Sequence, residues 1–171
     1  YRDADRLVRV YAHFAATDME RSSVSPGVAV DFAERLRAFR GVAPFNFSTF
    51  DVAVLDERGP RVLSGTLVAD GYFPTLGVRA ALGRTLTTDD GQAPVAMLSD
   101  AAWKREFGAD PAIVGKTIRI DKQSLQIVGV LPARYVGPMG DADIVFPLDL
   151  KPMLRDPSAG RDQHWLGLVG R

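Results

Sequence analysis

The chain has 171 residues, 46% of them hydrophobic, which is enough to bury one good core or two small ones. Lys plus Arg and Asp plus Glu stand at 21 each, so the formal charge is zero and no global field draws nucleic acid or anionic lipid. There is no cysteine, which excludes a thiol nucleophile, a disulfide framework and thiolate-held metal centres, and no window approaches the roughly 20 apolar residues that cross a bilayer.

Residues 7–11 form a short, mostly apolar run that predicts a strand buried on both faces. Ser25-Pro26-Gly27 predicts a helix start, with Ser25 as N-cap and Pro26 at the first position, where its missing donor costs nothing. Val28, Phe32, Leu36 and Phe39 then give one apolar stripe, Arg35, Arg37 and Arg40 a wet face, and Gly41 a left-handed stop. Phe45, Phe47 and Thr49, followed out of phase by Phe50, Val52 and Val54, predict strand with a bulge at the change of phase. Residues 56–60 read as a hairpin loop into a strand over 62–68, in which Gly65 marks a second bulge or a close backbone approach. Residues 70–84, punctuated by Gly71, Pro74, Gly77 and Gly83, read as a shaped connection more than a regular element.

A second unit is expected from about Pro94. Residues 95–98 make a short strand, and Ser99 caps a helix with Asp100 in its first turn, Trp103 and Phe107 four apart, and Gly108 as terminator. Asp110-Pro111 restarts the chain, and 117–120 with 125–130 form a hairpin around Asp121-Lys122-Gln123, closed by Pro132. Ile144-Val145-Phe146 is a last apolar run before Pro147 and a polar loop through Gly160, and residues 165–169 read as a closing strand. Strands outnumber helices and hairpins dominate, so the fold class is α+β, with helices on mainly antiparallel sheets. The chain starts at Tyr1 without a Met and stops at Arg171 just after an apolar run, which reads as a piece of something longer.

None of the candidate chemistry assembles from local pattern. His13 and His164 are far apart in sequence and read as surface or packing residues. Asp89-Asp90 and Asp141 with Asp143 are close carboxylate pairs, but the further ligands of a calcium loop are missing, so they read as solvated turns and caps. Ser64 and Ser99 lack a neighbouring base and a nucleophile elbow. Gly115-Lys116-Thr117 ends like a phosphate loop, yet Asp110 stands where the opening glycine belongs and a strand follows where a helix is needed. Trp103 and Phe107 read as core. No catalytic, cofactor or metal residue is assigned.

The segment Gly71-Tyr72-Phe73-Pro74-Thr75-Leu76-Gly77-Val78, followed by Ala81-Leu82-Gly83-Arg84, resembles the "YF..LGV...LGR" signature of the MacB-like periplasmic core domain. The resemblance continues through Pro94 to Ser99, the Trp103 to Gly108 helix, Asp110-Pro111-Ala112-Ile113-Val114-Gly115-Lys116-Thr117-Ile118, residues 127–132 and Asp143 to Leu148. It implies a domain between the first two transmembrane helices of a MacB/FtsX-type ABC permease, on the periplasmic face of the bacterial cytoplasmic membrane. The implied fold has two subdomains: a porter-like α/β unit of split βαβ character, residues 1–92 with 160–171, and an inserted mixed, mainly antiparallel unit with one helix, residues 93–159. The implied role is to couple transmembrane motion to substrate export or partner control, with no cofactor and no nucleic acid. Its implied partners are its own transmembrane helices, a second permease copy or core domain, a cytoplasmic ATPase that holds any ATP hydrolysis, and a periplasmic adaptor. Gly71, Tyr72, Phe73, Gly77, Gly83 and Arg84 are the expected structural joint between the two units, glycines for the turns and the aromatic pair as anchor. The alternatives are a periplasmic ligand-binding or sensing adaptor module, and a soluble enzyme with a cleft near His164 or Asp141.

Overall fold

Ser25 starts the first helix as its side chain predicts. In the computed structural model, which describes residues 4–14, 19–56, 59–120, 123–138, 140–155 and 160–171, the Ser25 hydroxyl accepts from the Val28 amide and Pro26 opens α1 (Pro26–Arg35). The helix ends before the predicted Gly41, because the backbone there is committed elsewhere. Arg40 donates its amide to the Arg171 carbonyl at 2.6 Å, and Gly41 accepts from the Arg171 amide at 3.0 Å. Arg37 and Arg40 therefore lie beyond the helix, not on its wet face, and Phe39 reaches the α1 core from the turn that follows.

The strands among the described residues are β1 (Val8–Val10), β2 (Ala12–Phe14), β3 (Met19–Ser22), β4 (Val42–Asn46), β5 (Phe50–Asp56), β6 (Gly59–Ala69), β7 (Leu82–Gly83), β8 (Val95–Leu98), β9 (Thr117–Ile120), β10 (Gln123–Val130), β11 (Ile144–Leu148) and β12 (Leu166–Gly170). Two further helices are α2 (Tyr72–Leu76) and α3 (Asp100–Phe107), which with the strands make the fold α+β. All strands but β2 and β3 join one sheet, in the order β1-β12-β4-β6-β11-β8-β10-β9-β5, with β7 added beside β10. β5 also returns to pair with β6, so β6, β11, β8, β10, β9 and β5 close into a ring, while β4, β12 and β1 extend from β6 as an open wing. Pairings β6–β11 and β8–β10 are parallel, and the other ring pairings are antiparallel.

Alternation along the strands builds two cores from one sheet. Val52, Val54, Leu63, Ala96, Leu98, Ile120, Leu125, Ile127 and Ile144 come from every ring strand at alternate positions and pack together, with Trp103 and Phe107 of α3 against them. The residues of opposite phase, among them Phe45, Val68, Val95, Met97, Val128 and Val145, pack with Tyr72, Phe73 and Leu76 of α2. β8 is thus buried on both faces. A third core lies under α1, where Val24, Ala29, Val42, Leu148, Leu166 and Leu168 meet.

Three sequence expectations are corrected. β1 is not buried on both faces: it pairs only with β12 at the margin of the wing and leaves Val8 43% exposed. Residues 45–54 are not one bulged strand but the two strands β4 and β5: the Phe47 amide still bonds to the Trp165 carbonyl beside β12, and the chain bends at residues 47–48 before β5 begins. Residues 70–84 hold the regular elements α2 and β7. Gly65 is a close approach, since a Cβ there would stand 2.6 Å from Val52 Cγ2 and 2.9 Å from Phe50 Cε2. The predicted loop residues 57–58, 121–122 and 156–159 lie outside the described residues.

Candidate functional site

The stretch with the strongest sequence signal, residues 71–90, runs along the seam between the wing and the ring. α2 is short because glycines bound it on both sides, Gly71 at φ 76° and Gly77 at φ 66°, left-handed conformations that a side chain resists. Between them Tyr72, Phe73 and Leu76 are at most 3% exposed. The Tyr72 and Phe73 rings meet edge to face with centroids 5.2 Å apart, and Phe45 packs on Tyr72 at 5.9 Å. The Tyr72 and Tyr135 hydroxyls share a hydrogen bond at 2.9 Å. At the other end, Arg171 Nε donates to the Thr75 carbonyl at 2.7 Å and its terminal nitrogen to the Leu76 carbonyl at 3.1 Å, satisfying carbonyls that the last turn of a helix leaves open.

β7 then presses Gly83, at φ 66°, against Gly129 of β10. Beyond it, Arg84 grips Asp90 with both terminal nitrogens, one contact measuring 2.8 Å. The Asp90 carboxylate also accepts from the Thr87 amide at 2.8 Å and the Thr87 hydroxyl at 3.0 Å, which closes a capping box around the single 3₁₀ turn at 88–90. Asp90 is 4% exposed. The Arg84 guanidinium, helped by Thr87, holds its carboxyl at about 2, against the burial that works the other way.

The other candidates stay apart. His13 is exposed on β2 and His164 exposed just before β12. Among the described residues no group of three or more His, Cys, Asp or Glu side chains is placed to hold a metal ion. Asp89 and Asp141 are exposed and Asp90 caps its turn, as expected of turn and cap residues, but Asp90 is buried and Asp143 is partly buried. Asp143 accepts from the Ser64 amide at 3.1 Å and from Arg105 at 2.9 Å, so it ties β6 to α3. Lys116 reaches Asp110 at 2.6 Å and a strand follows it, the opposite of a phosphate cradle. Trp103 packs half-buried against the ring core, with its indole N–H donating to the Asp110 carbonyl at 2.9 Å. Ser99 Oγ accepts from the Ala102 amide as the cap of α3.

Sequence reasoning missed four members of this region: Asp90 as the partner of Arg84, and Gly129, Tyr135 and Arg171. Two had a local signal, the Thr87-x-x-Asp90 spacing of a capping box and a glycine inside a strand pattern at 129. Tyr135 and Arg171 act on residues 63 and 95–96 positions away, which no local pattern reports.

Residues 1–166 match the family described as the MacB-like periplasmic core domain. No curated protein matches the sequence. In structure the chain is similar to the extracellular domain of the noncanonic ABC-type transporter YknZ from Gram-positive bacteria, at TM-score 0.61 and 12% identity, covering 96% of this chain and 81% of that one. It is also similar to the periplasmic region of MacB from Actinobacillus actinomycetemcomitans, at TM-score 0.63 and 16% identity, covering 96% of this chain and 72% of that one. At such identities these likenesses show the fold, and no helix among the described residues is long and apolar enough to cross a membrane. The match over 166 residues carries the membership: the chain belongs to the MacB-like periplasmic core domain family.

Proposed function

We propose that this domain carries the motion of a permease's transmembrane helices to the periplasmic side, where it drives substrate export or controls a partner. One observation supports this above the rest. The first and last strands are antiparallel neighbours, Val8 opposite Gly170, so the chain comes in and goes out side by side. A body held between two adjacent membrane helices needs that geometry, and a displacement of either helix would act on it directly. In this reading ATP is hydrolysed in a separate cytoplasmic subunit, and a second permease copy or core domain and a periplasmic adaptor complete the machine.

Residues 1–92 with 160–171 and residues 93–159 are proposed as its two units. In support, β1, β12 and β4 all lie on one side of β6, and β11, β8, β10 and β9 on the other. Gly71, Tyr72, Phe73, Gly77, Gly83 and Arg84 are proposed as the joint between them, supported by the two left-handed glycines that bracket α2. The test is hydrogen exchange on the intact parent complex with and without ATP. Changed protection within residues 70–90 is the expected outcome; identical exchange throughout the domain in both nucleotide states would overturn the coupling.

A sensing role has one feature behind it, an open groove of about 530 Å³ beside the joint, where Glu34, Asp70, Thr87 and Lys151 surround an apolar floor of Val42 and Leu148. A thermal-shift screen in which one ligand class raises the melting point, and in which Val42→Trp abolishes the rise, would favour it.

A further inference from the structure

Most helices are fixed along one face by packing; α2 is in addition gripped at its two ends by parts of the chain that lie on opposite sides of β6. Its first residue, Tyr72, is bonded through its hydroxyl to Tyr135, which sits in the connection from β10 to β11. Its last two carbonyls, those of Thr75 and Leu76, are bonded by Arg171, which directly follows β12. Arg171 is itself fixed by its backbone, which exchanges hydrogen bonds with Arg40 and Gly41. The body between the grips is stiff, since Tyr72, Phe73, Thr75 and Leu76 are all buried and the two aromatic rings are locked edge to face. The chain on either side turns sharply through glycine, with Gly71 and Gly77 both left-handed.

We propose that α2 is a lever between Arg171 and Tyr135: a shift of β12 moves Arg171, Arg171 pulls the C-terminal end of α2, and the Tyr72 end moves Tyr135 and the β10–β11 connection with it. Arg171 and Tyr135 are positioning residues for the coupling, and the lever rests on the coupling reading for its purpose. Its alternative is that Arg171 is only a local cap that satisfies two carbonyls.

The two differ in how far the effect of Arg171 travels, which amide NMR of the chain in solution reads directly. Arg171→Gln is expected to speed exchange of the Gly77 and Val78 amides about tenfold, by loosening the last turn. It is also expected to shift the amide signals of residues 133–136, on the far side of α2. In a Tyr72→Phe background, which cuts the hydroxyl link and keeps the ring, Arg171→Gln should leave those distant signals in place. Arg171→Lys, able to reach one carbonyl at a time, should give an intermediate shift, and it serves as the measurement if the Gln variant does not fold. Signals at 133–136 that ignore Arg171, or that follow it equally with Tyr72→Phe, would overturn the lever. Because the experiment uses no nucleotide and no membrane, its result is separate from the fate of the coupling reading, which the exchange experiment on the parent complex decides.

Discussion

Gly83 and Gly129 face each other across the β7–β10 pairing so closely that neither can carry a side chain: a Cβ on Gly83 would stand 2.3 Å from the Val128 carbonyl oxygen, and one on Gly129 2.2 Å from the Arg84 carbonyl oxygen. The obstacles are backbone atoms, which cannot step aside as a flexible side chain could. Gly129→Ala is expected to destabilise the chain by about 2 kcal/mol and lower its melting midpoint by about 4–8 °C. Gly83→Ala should cost more, because its left-handed φ adds about 1–2 kcal/mol for any L-residue. Calorimetry of the two variants checks the order.

The Arg84–Asp90 pair makes stability depend on acid. The carboxyl of Asp90 is held at about 2, below its ordinary 3.8, so its contribution is full above pH 4 to 5 and is lost as pH falls through 2. That contribution is about 1–2 kcal/mol, allowing for an Arg84 side chain half exposed to water. Asp90→Asn should therefore lower stability at pH 7 and flatten the decline between pH 4 and 2. Urea unfolding at several pH values would show this, and an unchanged acid limb would contradict it.

Ala109 is the one non-glycine residue with positive φ among the described residues, at 55°, directly after the left-handed Gly108 that ends α3. The left-handed Gly108 lets the Ala109 amide bond to the Trp103 carbonyl at 3.2 Å, and the left-handed Ala109 in turn lets the Asp110 amide reach the Phe107 carbonyl at 3.2 Å. Ala109→Gly removes the conformational cost at this position and should raise stability by about 0.5–1 kcal/mol, less than the full strain because glycine also loosens the unfolded chain. A higher urea midpoint with an unchanged slope is the expected result.

Asp143 joins three elements through one carboxylate and its backbone. Its oxygens take Ser64 N–H and Arg105, while its amide donates to the Ser64 carbonyl at 2.7 Å and its carbonyl accepts from the Ser99 amide at 2.9 Å. Asp143→Ala strands the Ser64 amide and should cost about 1–2 kcal/mol. Arg105→Ala, whose side chain is half exposed, should cost about 0–1 kcal/mol. If both substitutions cost the same, the ion pair and not the amide contact would be the important part.

What the sequence revealed follows from how far each interaction reaches. α3 could be read almost to its ends because Ser99, Asp100 and Gly108 each act within a turn of the helix they bound. β8 to β10 were legible for a related reason, as their apolar runs are bounded by loops. The end of α1 was misplaced because Arg171, from the far end of the chain, claims residues 40 and 41. α2 was hidden because five residues between two glycines, with a proline inside, look like a turn, and only the packing of Tyr72 and Phe73 against β4 makes a helix of them. Closure of the ring was beyond reach, since it depends on Gly65 meeting Ile144 across the chain and on the one pairing of Val54 with Ile120. Across residues 71–90 the glycines and aromatics were visible and their partners were not.

The pairing of β1 with β12 also fixes how the domain would yield under load. Val8 lies opposite Gly170, Arg9 opposite Val169 and Val10 opposite Leu168, with both free ends of the ladder on the same side. A tension that separates those ends sideways meets the rungs in turn, as in a zipper, and never all three together. Lateral parting of these two strand ends would therefore peel β1 away at low force and leave the ring and α2 intact, whereas a push along the strands would be carried by the whole sheet. The fold is compliant in one direction and stiff in the other.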